Sequence, residues 1–195
     1  MTGLEWAVCD DPRQMIAVLR RRGNVGDRKW RLFVASFWQW RAAALTGSRE
    51  ELIESALAME EWAETDRLPN GLRRSGNEQV VFFAKDMAQA AYNTACFPYH
   101  VTRNRSMMAG ILTNLLREIF GNPFRTPEFD PRWRTSDVVG LARAIYEEKA
   151  FERMPILADA LMDAGCEDDA IVGHCRGDGT HARGCWVLDL VLGKT

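Results

Sequence analysis

Apolar residues return every three or four positions along most of this chain, the period of an α-helix that buries one face. Asp11-Pro12 offers an N-cap followed by proline at the first helical position, and Met15, Ile16, Val18 and Leu19 line one face as far as Gly23. From Asp27 onward, Trp30, Phe33, Val34, Phe37, Trp38 and Leu45 keep the helical spacing up to Gly47. Ser48-Arg49-Glu50-Glu51 reads as a capping box, opening a helix striped by Leu52, Ile53, Ala56, Leu57, Met59 and Ala63. Further helices are predicted over about 78–96 and 105–120, the second with Ile111, Leu112, Leu115, Leu116 and Ile119 inward. Three short helices follow: 137–149 capped by Ser136, 155–164 opened by Pro155 and ended by Gly165, and 184–192 ended by Gly193.

Between these stretches the period breaks. Residues 66–77 are rich in Pro, Gly, Asn and Ser and read as a surface loop. Residues 121–133 hold three prolines and cannot be regular helix, yet Phe124, Phe129 and Trp133 suit a loop laid on the core. Gln79-Val80-Val81-Phe82-Phe83 is the only strand-like run. The pattern predicts an all-α fold. It would be an irregular orthogonal bundle of some seven to nine helices with an ordered Pro-rich loop, in one domain over 1–195.

Composition adds little to this except at the charges. No apolar run approaches a membrane span, and an acid stands where a signal peptide carries bases, so a cytoplasmic protein with reduced thiols is expected. The net charge of −2 does not ask for nucleic acid, but it is unevenly laid out. Residues 48–66 hold seven acids against one base, and residues 67–125 hold eight bases against three acids. Such blocks suit complementary faces or a protein partner. The basic cluster Arg20-Arg21-Arg22 with Arg28 and Arg31 surrounds Trp30, and Arg73-Arg74 could extend it. Nucleic acid is a possible but unfavoured partner, because three cations at a helix C-terminus also suit its dipole. Trp38 and Trp40 cannot share a helix face, so one of them, with Trp62, is expected outside the core. The expected interaction residues are Arg21, Arg22, Arg28, Trp30, Trp40, Trp62, Arg73 and Arg74.

Chemistry concentrates in one window. Of five Cys and three His, five fall between 166 and 185: Cys166, His174, Cys175, His181 and Cys185. Cys and His bind soft metals, so Cys166, Cys175, His181 and Cys185 are candidate zinc ligands, with His174 as an alternative. His181 and Cys185 would share one side of a helix if the last helix begins near 181. Against zinc stands the long spacing from Cys166 to Cys175; thiols packed as small apolar groups around a Gly-rich turn is the blander reading. An enzyme would use Cys175 or Cys185 as nucleophile, His181 or His174 as base, and Asp178 or Asp189 to orient it. No strand–turn–helix elbow supports that arrangement. Gly177-Asp178-Gly179 between Arg176 and Arg183 could cradle a phosphate, but a tight turn explains it as well.

Long motifs carry a resemblance. Leu116-Arg-Glu-Ile-Phe-Gly-Asn-Pro-Phe-Arg125, residues 144–153, residues 155–161, Gly173-His-Cys-Arg176 and residues 181–193 resemble an uncharacterised bacterial domain that occurs in many paralogous copies. Glu5-Trp6, Cys9, Asp11-Pro12 and residues 27–33 are similar to the start of the same domain, leaving about 46–105 as the variable middle. The resemblance implies no established activity; multi-copy sets of this kind imply an adaptor or accessory role. Members of that family carry several cysteines after the R-L-F segment, where this chain has Val34-Ala35-Ser36-Phe37. A non-catalytic protein–protein interaction module is therefore the leading expectation, with a zinc-stabilised domain as the alternative.

Overall fold

The computed structural model describes residues 1–23, 25–44, 50–69, 89, 91–93, 105–125 and 127–194. Among these residues the fold is all-α with no strand, as the hydrophobic period requires. No helix among them is long and apolar enough to cross a membrane. Arg73, Arg74, the Ser48 of the capping box, the strand-like run 79–83 and most of the helix expected over 78–96 lie outside the described residues. By contact the chain divides into two compact units, Met1–Arg117 and Glu118–Thr195.

In the first unit, α1 (Gly3–Val8) opens with a capping box between Thr2 and Glu5 and buries Trp6. It went unpredicted because one turn and a half is too short for a period to show. Next, α2 (Pro12–Arg22) starts at the expected Asp11 cap and stops at Gly23, whose φ of 67° is the left-handed conformation that glycine supplies without strain. Residues 30–37 of α3 (Asp27–Ala44) are all buried. It is the central element of its unit rather than a helix with one apolar stripe.

The partner of α3 is α4 (Glu50–Thr65), and the pairing is antiparallel. Arg28 meets Glu64 at 3.1 Å, Arg31 donates to the Trp62 carbonyl at 3.3 Å, and Gln39 donates to Glu60 at 2.7 Å, so positions rise on one helix as they fall on the other. The Arg31 guanidinium also lies 4.2 Å from the centroid of the Trp62 ring and 2.7 Å from Asp66. Helix α5 (Arg105–Phe120) matches its predicted bounds and buries Leu112, Leu115, Leu116 and Ile119. Within the first unit its Arg117 reaches back to the carbonyls of Trp6 and Cys9, satisfying the end of α1.

The second unit begins in the last turn of α5. It holds α6 (Ser136–Glu148), α7 (Met154–Asp163), α8 (Asp169–Arg176) and α9 (Trp186–Leu192), with short 3₁₀ turns at Pro131–Trp133 and Phe151–Arg153. α6 packs on α7 and α9, and α7 packs on α8. Val138, Ile145, Met154, Leu157, Leu161, Ile171, Leu188 and Val191 fill the space between them. Phe129 and Trp133 of the Pro-rich loop pack against this core, edge to face at 5.3 Å, as their pattern predicted. Three local expectations need correction. Thr135, not Ser136, caps α6. The final helix starts at Trp186, because Gly184 at φ 92° turns the chain just before it. Residues 169–176 form a helix, capped by Asp168 through the amides of Ala170 and Ile171, where a turn was read.

Candidate functional site

One residue organises the polar interior of the second unit. Glu118 ends α5 and is 5% exposed, a placement that demands hydrogen-bond donors around its carboxylate. Three N–H groups supply them. His181 Nδ1 and the Ala182 amide each stand 3.2 Å from Oε1, and His174 Nε2 stands 3.2 Å from Oε2. Desolvation alone would raise the Glu118 carboxyl, but hydrogen bonds from His174 and His181 outweigh it and hold the group down at about 2.

Helix α8 delivers His174. Its Nε2 also stands 3.2 Å from Cys185 Sγ, while Trp186 Nε1 donates to its Nδ1 at 3.1 Å. An indole nitrogen can only donate, so Nδ1 accepts and the ring proton sits on Nε2, facing both the carboxylate and the sulfur. Gly121, at φ 64°, sets the indole in place. A β-carbon there would come within 3.1 Å of Trp186 Cγ, so only glycine lets the chain after α5 lie against that ring. His181 lies in the loop before α9, and Cys185 is the residue immediately before that helix. The two are joined by a turn in which the Cys185 amide donates to Ala182, not by the helical i, i+4 spacing expected of them.

His174, His181 and Cys185 therefore meet, and Glu118 joins them from far upstream. One ligand atom from each of the four can be chosen so that all lie within 4.8 Å of one another. Cys166 and Cys175 are not in that group; both are core members of the second unit, packed as small apolar side chains. Burial, then the Glu118 charge, pushes the Cys175 thiol up to about 12 and raises the Cys185 thiol well above its ordinary value.

A nucleophile–base–acid relay needs the thiol and the carboxylate on opposite ring nitrogens. Here both sit at Nε2 of His174, and the far nitrogen is taken by a donor. Of the acids named for the relay, Asp178 is exposed and Asp189 is buried within α9; the acid bonded to both rings is Glu118. The flanks of the proposed phosphate cradle are committed as well. Arg176 pairs with Asp159 at 2.6 Å, and Arg183 lies over the Tyr146 ring with its Nη2 donating to the Tyr146 carbonyl.

The expected interaction residues separate in the same way. Arg21 and Arg22 are exposed at the end of α2. Arg28 is held by Glu64, and Trp40 is half-buried against Phe37. Trp30 and Trp62 are buried; Trp62, expected outside the core, is 6% exposed beneath Arg31. Apolar residues that face solvent include Leu4 and Val8 of α1, 85% and 80% exposed, which the sequence did not single out, and Ile53 and Leu57 of α4, which it placed in that helix's apolar stripe. No family model matches this chain, and no curated protein and no solved structure matches it either.

Proposed function

We propose that this protein is a non-catalytic protein–protein interaction module, an adaptor, accessory or regulatory subunit. The observation that carries the reading is the state of its best-placed thiol. Cys185 is fully buried, is raised well above its ordinary ionisation range, and faces an imidazole whose proton already points at it. Thiolate chemistry needs the opposite: a lowered pKa, partial exposure and a free lone pair on the base. Support for binding comes from α1. Leu4 and Val8 are one helical turn apart and share its outer face, while Trp6 and the Arg117 contacts hold the helix down on its other side. A fixed apolar pair of this kind suits an apolar groove on a partner protein. Nucleic acid is a poorer fit, since Trp30 at the centre of the basic cluster is buried and offers no face to a base.

Two measurements test the reading. Native-state alkylation followed by peptide mass spectrometry should leave Cys175 and Cys185 unmodified while Cys9, half-buried, reacts; rapid labelling of Cys185 would bring back the enzyme. Crosslinking in cells should capture a partner that the Leu4→Ser, Val8→Ser double variant loses with its unfolding midpoint unchanged. Retention of that partner at full yield removes α1 as the binding surface.

A further inference from the structure

We propose that Glu118, His174, His181 and Cys185 form a site for a divalent metal ion of the zinc class, closed by four protein ligands. This goes beyond the interaction reading and stands or falls without it. The four belong to segments that only the fold brings together: the end of α5, α8, the loop after it, and the residue before α9.

Spacing is the first support. Around an ion bound at roughly 2.0–2.3 Å, tetrahedral ligand atoms stand roughly 3.3–3.7 Å apart. The Glu118–His174 and His174–Cys185 separations are both 3.2 Å, a few tenths of an ångström inside that range, and all four ligand atoms lie within 4.8 Å of one another. The second support is the orientation of His181. Its side chain is 7% exposed and turns Nδ1 toward Glu118 at 3.2 Å, so Nδ1 is the nitrogen it offers to the cage, and on binding its ring proton passes to Nε2. Charge is the third. A carboxylate and a thiolate around a doubly positive ion make a neutral centre, which a buried position tolerates far better than the lone carboxylate.

The donor set chooses the ion. One thiolate, two imidazoles and one carboxylate suit zinc and discriminate against magnesium and calcium, which want oxygen alone. Binding releases the Cys185 thiol proton to solvent. His174 must free Nε2, so its one ring proton moves to Nδ1 and the Trp186 indole must turn away from it. Four protein ligands leave no position for substrate, so the ion serves as a staple.

The test uses the full chain purified without chelator. Metal analysis should find about one zinc per chain. X-ray absorption of the zinc-loaded protein should show one sulfur and three nitrogen or oxygen neighbours, matching one Cys, two His and one Glu. Zinc content should survive Cys166→Ala and Cys175→Ala and be lost in His181→Gln. A wild-type chain that takes up no zinc at micromolar concentration overturns the proposal. So does a zinc neighbour shell with no sulfur, or with two sulfurs as a Cys166/Cys175 site would give.

Discussion

Glu118 accepts three N–H groups on two oxygens, and that stoichiometry makes its behaviour predictable. A depressed carboxyl contributes stability that is fully present above its unfolded value of 4.5 and is lost as pH falls toward its folded value of about 2. The difference corresponds to roughly 3 kcal/mol. In protein stripped of metal, denaturant midpoints should therefore drop steeply between pH 4.5 and pH 2, and much of that slope should vanish in Glu118→Gln. The variant should also start lower. The Gln amide must turn an N–H toward one of the same donors, leaving a donor–donor contact that costs about 2 kcal/mol. At Trp186 the expectation runs the other way. Trp186→Phe removes the donor that keeps the His174 proton on Nε2, so calorimetric titration should show zinc binding about tenfold tighter than wild type. The thiols and imidazoles of this node stood out in the sequence because Cys and His are rare and clustered there. Glu118 and Trp186 did not, since acids are common and an indole has no motif. What singles them out is burial and direction, which arise only once α5, α8 and the final loop are folded together.

Elements were legible in proportion to their length and their caps. α2 announced itself by Asp11-Pro12 at one end and Gly23 at the other, and α5 by two clean turns of leucine and isoleucine. α8 has eight residues with a glycine among them, too few for a period to rise above chance, and its Asp168 N-cap went unread. That cap now bears on the site, because α8 carries His174. Asp168 also takes Arg125 at 3.1 Å and 3.2 Å through one guanidinium nitrogen. Asp168→Ala should cost about 1 kcal/mol from the lost cap, with Arg125 exposed enough to add little. Amide exchange should quicken through 169–176 before it quickens elsewhere in the unit. In α3 the sequence reading failed in a different way. Arg31 sits in a run that is buried all round, and its guanidinium lies on Trp62 instead of in solvent. A stripe analysis assigns charged positions to the surface; it has no way to see that a neighbouring helix offers a carbonyl, a ring and Asp66 at that height. Arg31→Ala should destabilise the first unit by about 2 kcal/mol, with Arg31→Lys recovering only part of it.

For the whole molecule, the division at Arg117 and Glu118 decides where a ligand's influence is felt. All four residues of the node belong to the second unit, and so do α8, α9 and the last turn of α5, the parts they join. Zinc that binds the folded form adds stability as the logarithm of its concentration over its dissociation constant, about 2.7 kcal/mol at a hundredfold excess. That increment reaches only those amides whose opening breaks the site. Hydrogen exchange with and without zinc should therefore slow the amides of α6, α8 and α9, together with the last turn of α5. It should leave the α3–α4 pair, tied by Arg31 and by its own buried aromatics, unchanged. Equal protection across both units would mean that they open as one, and the contact boundary would then carry no energetic weight. Protection confined to the first unit would place the ion elsewhere. The expected pattern sets the two roles apart in the chain: a C-terminal unit made rigid by its Glu118 node, and an N-terminal unit whose exposed Leu4 and Val8 are free to meet a partner whether or not metal is bound.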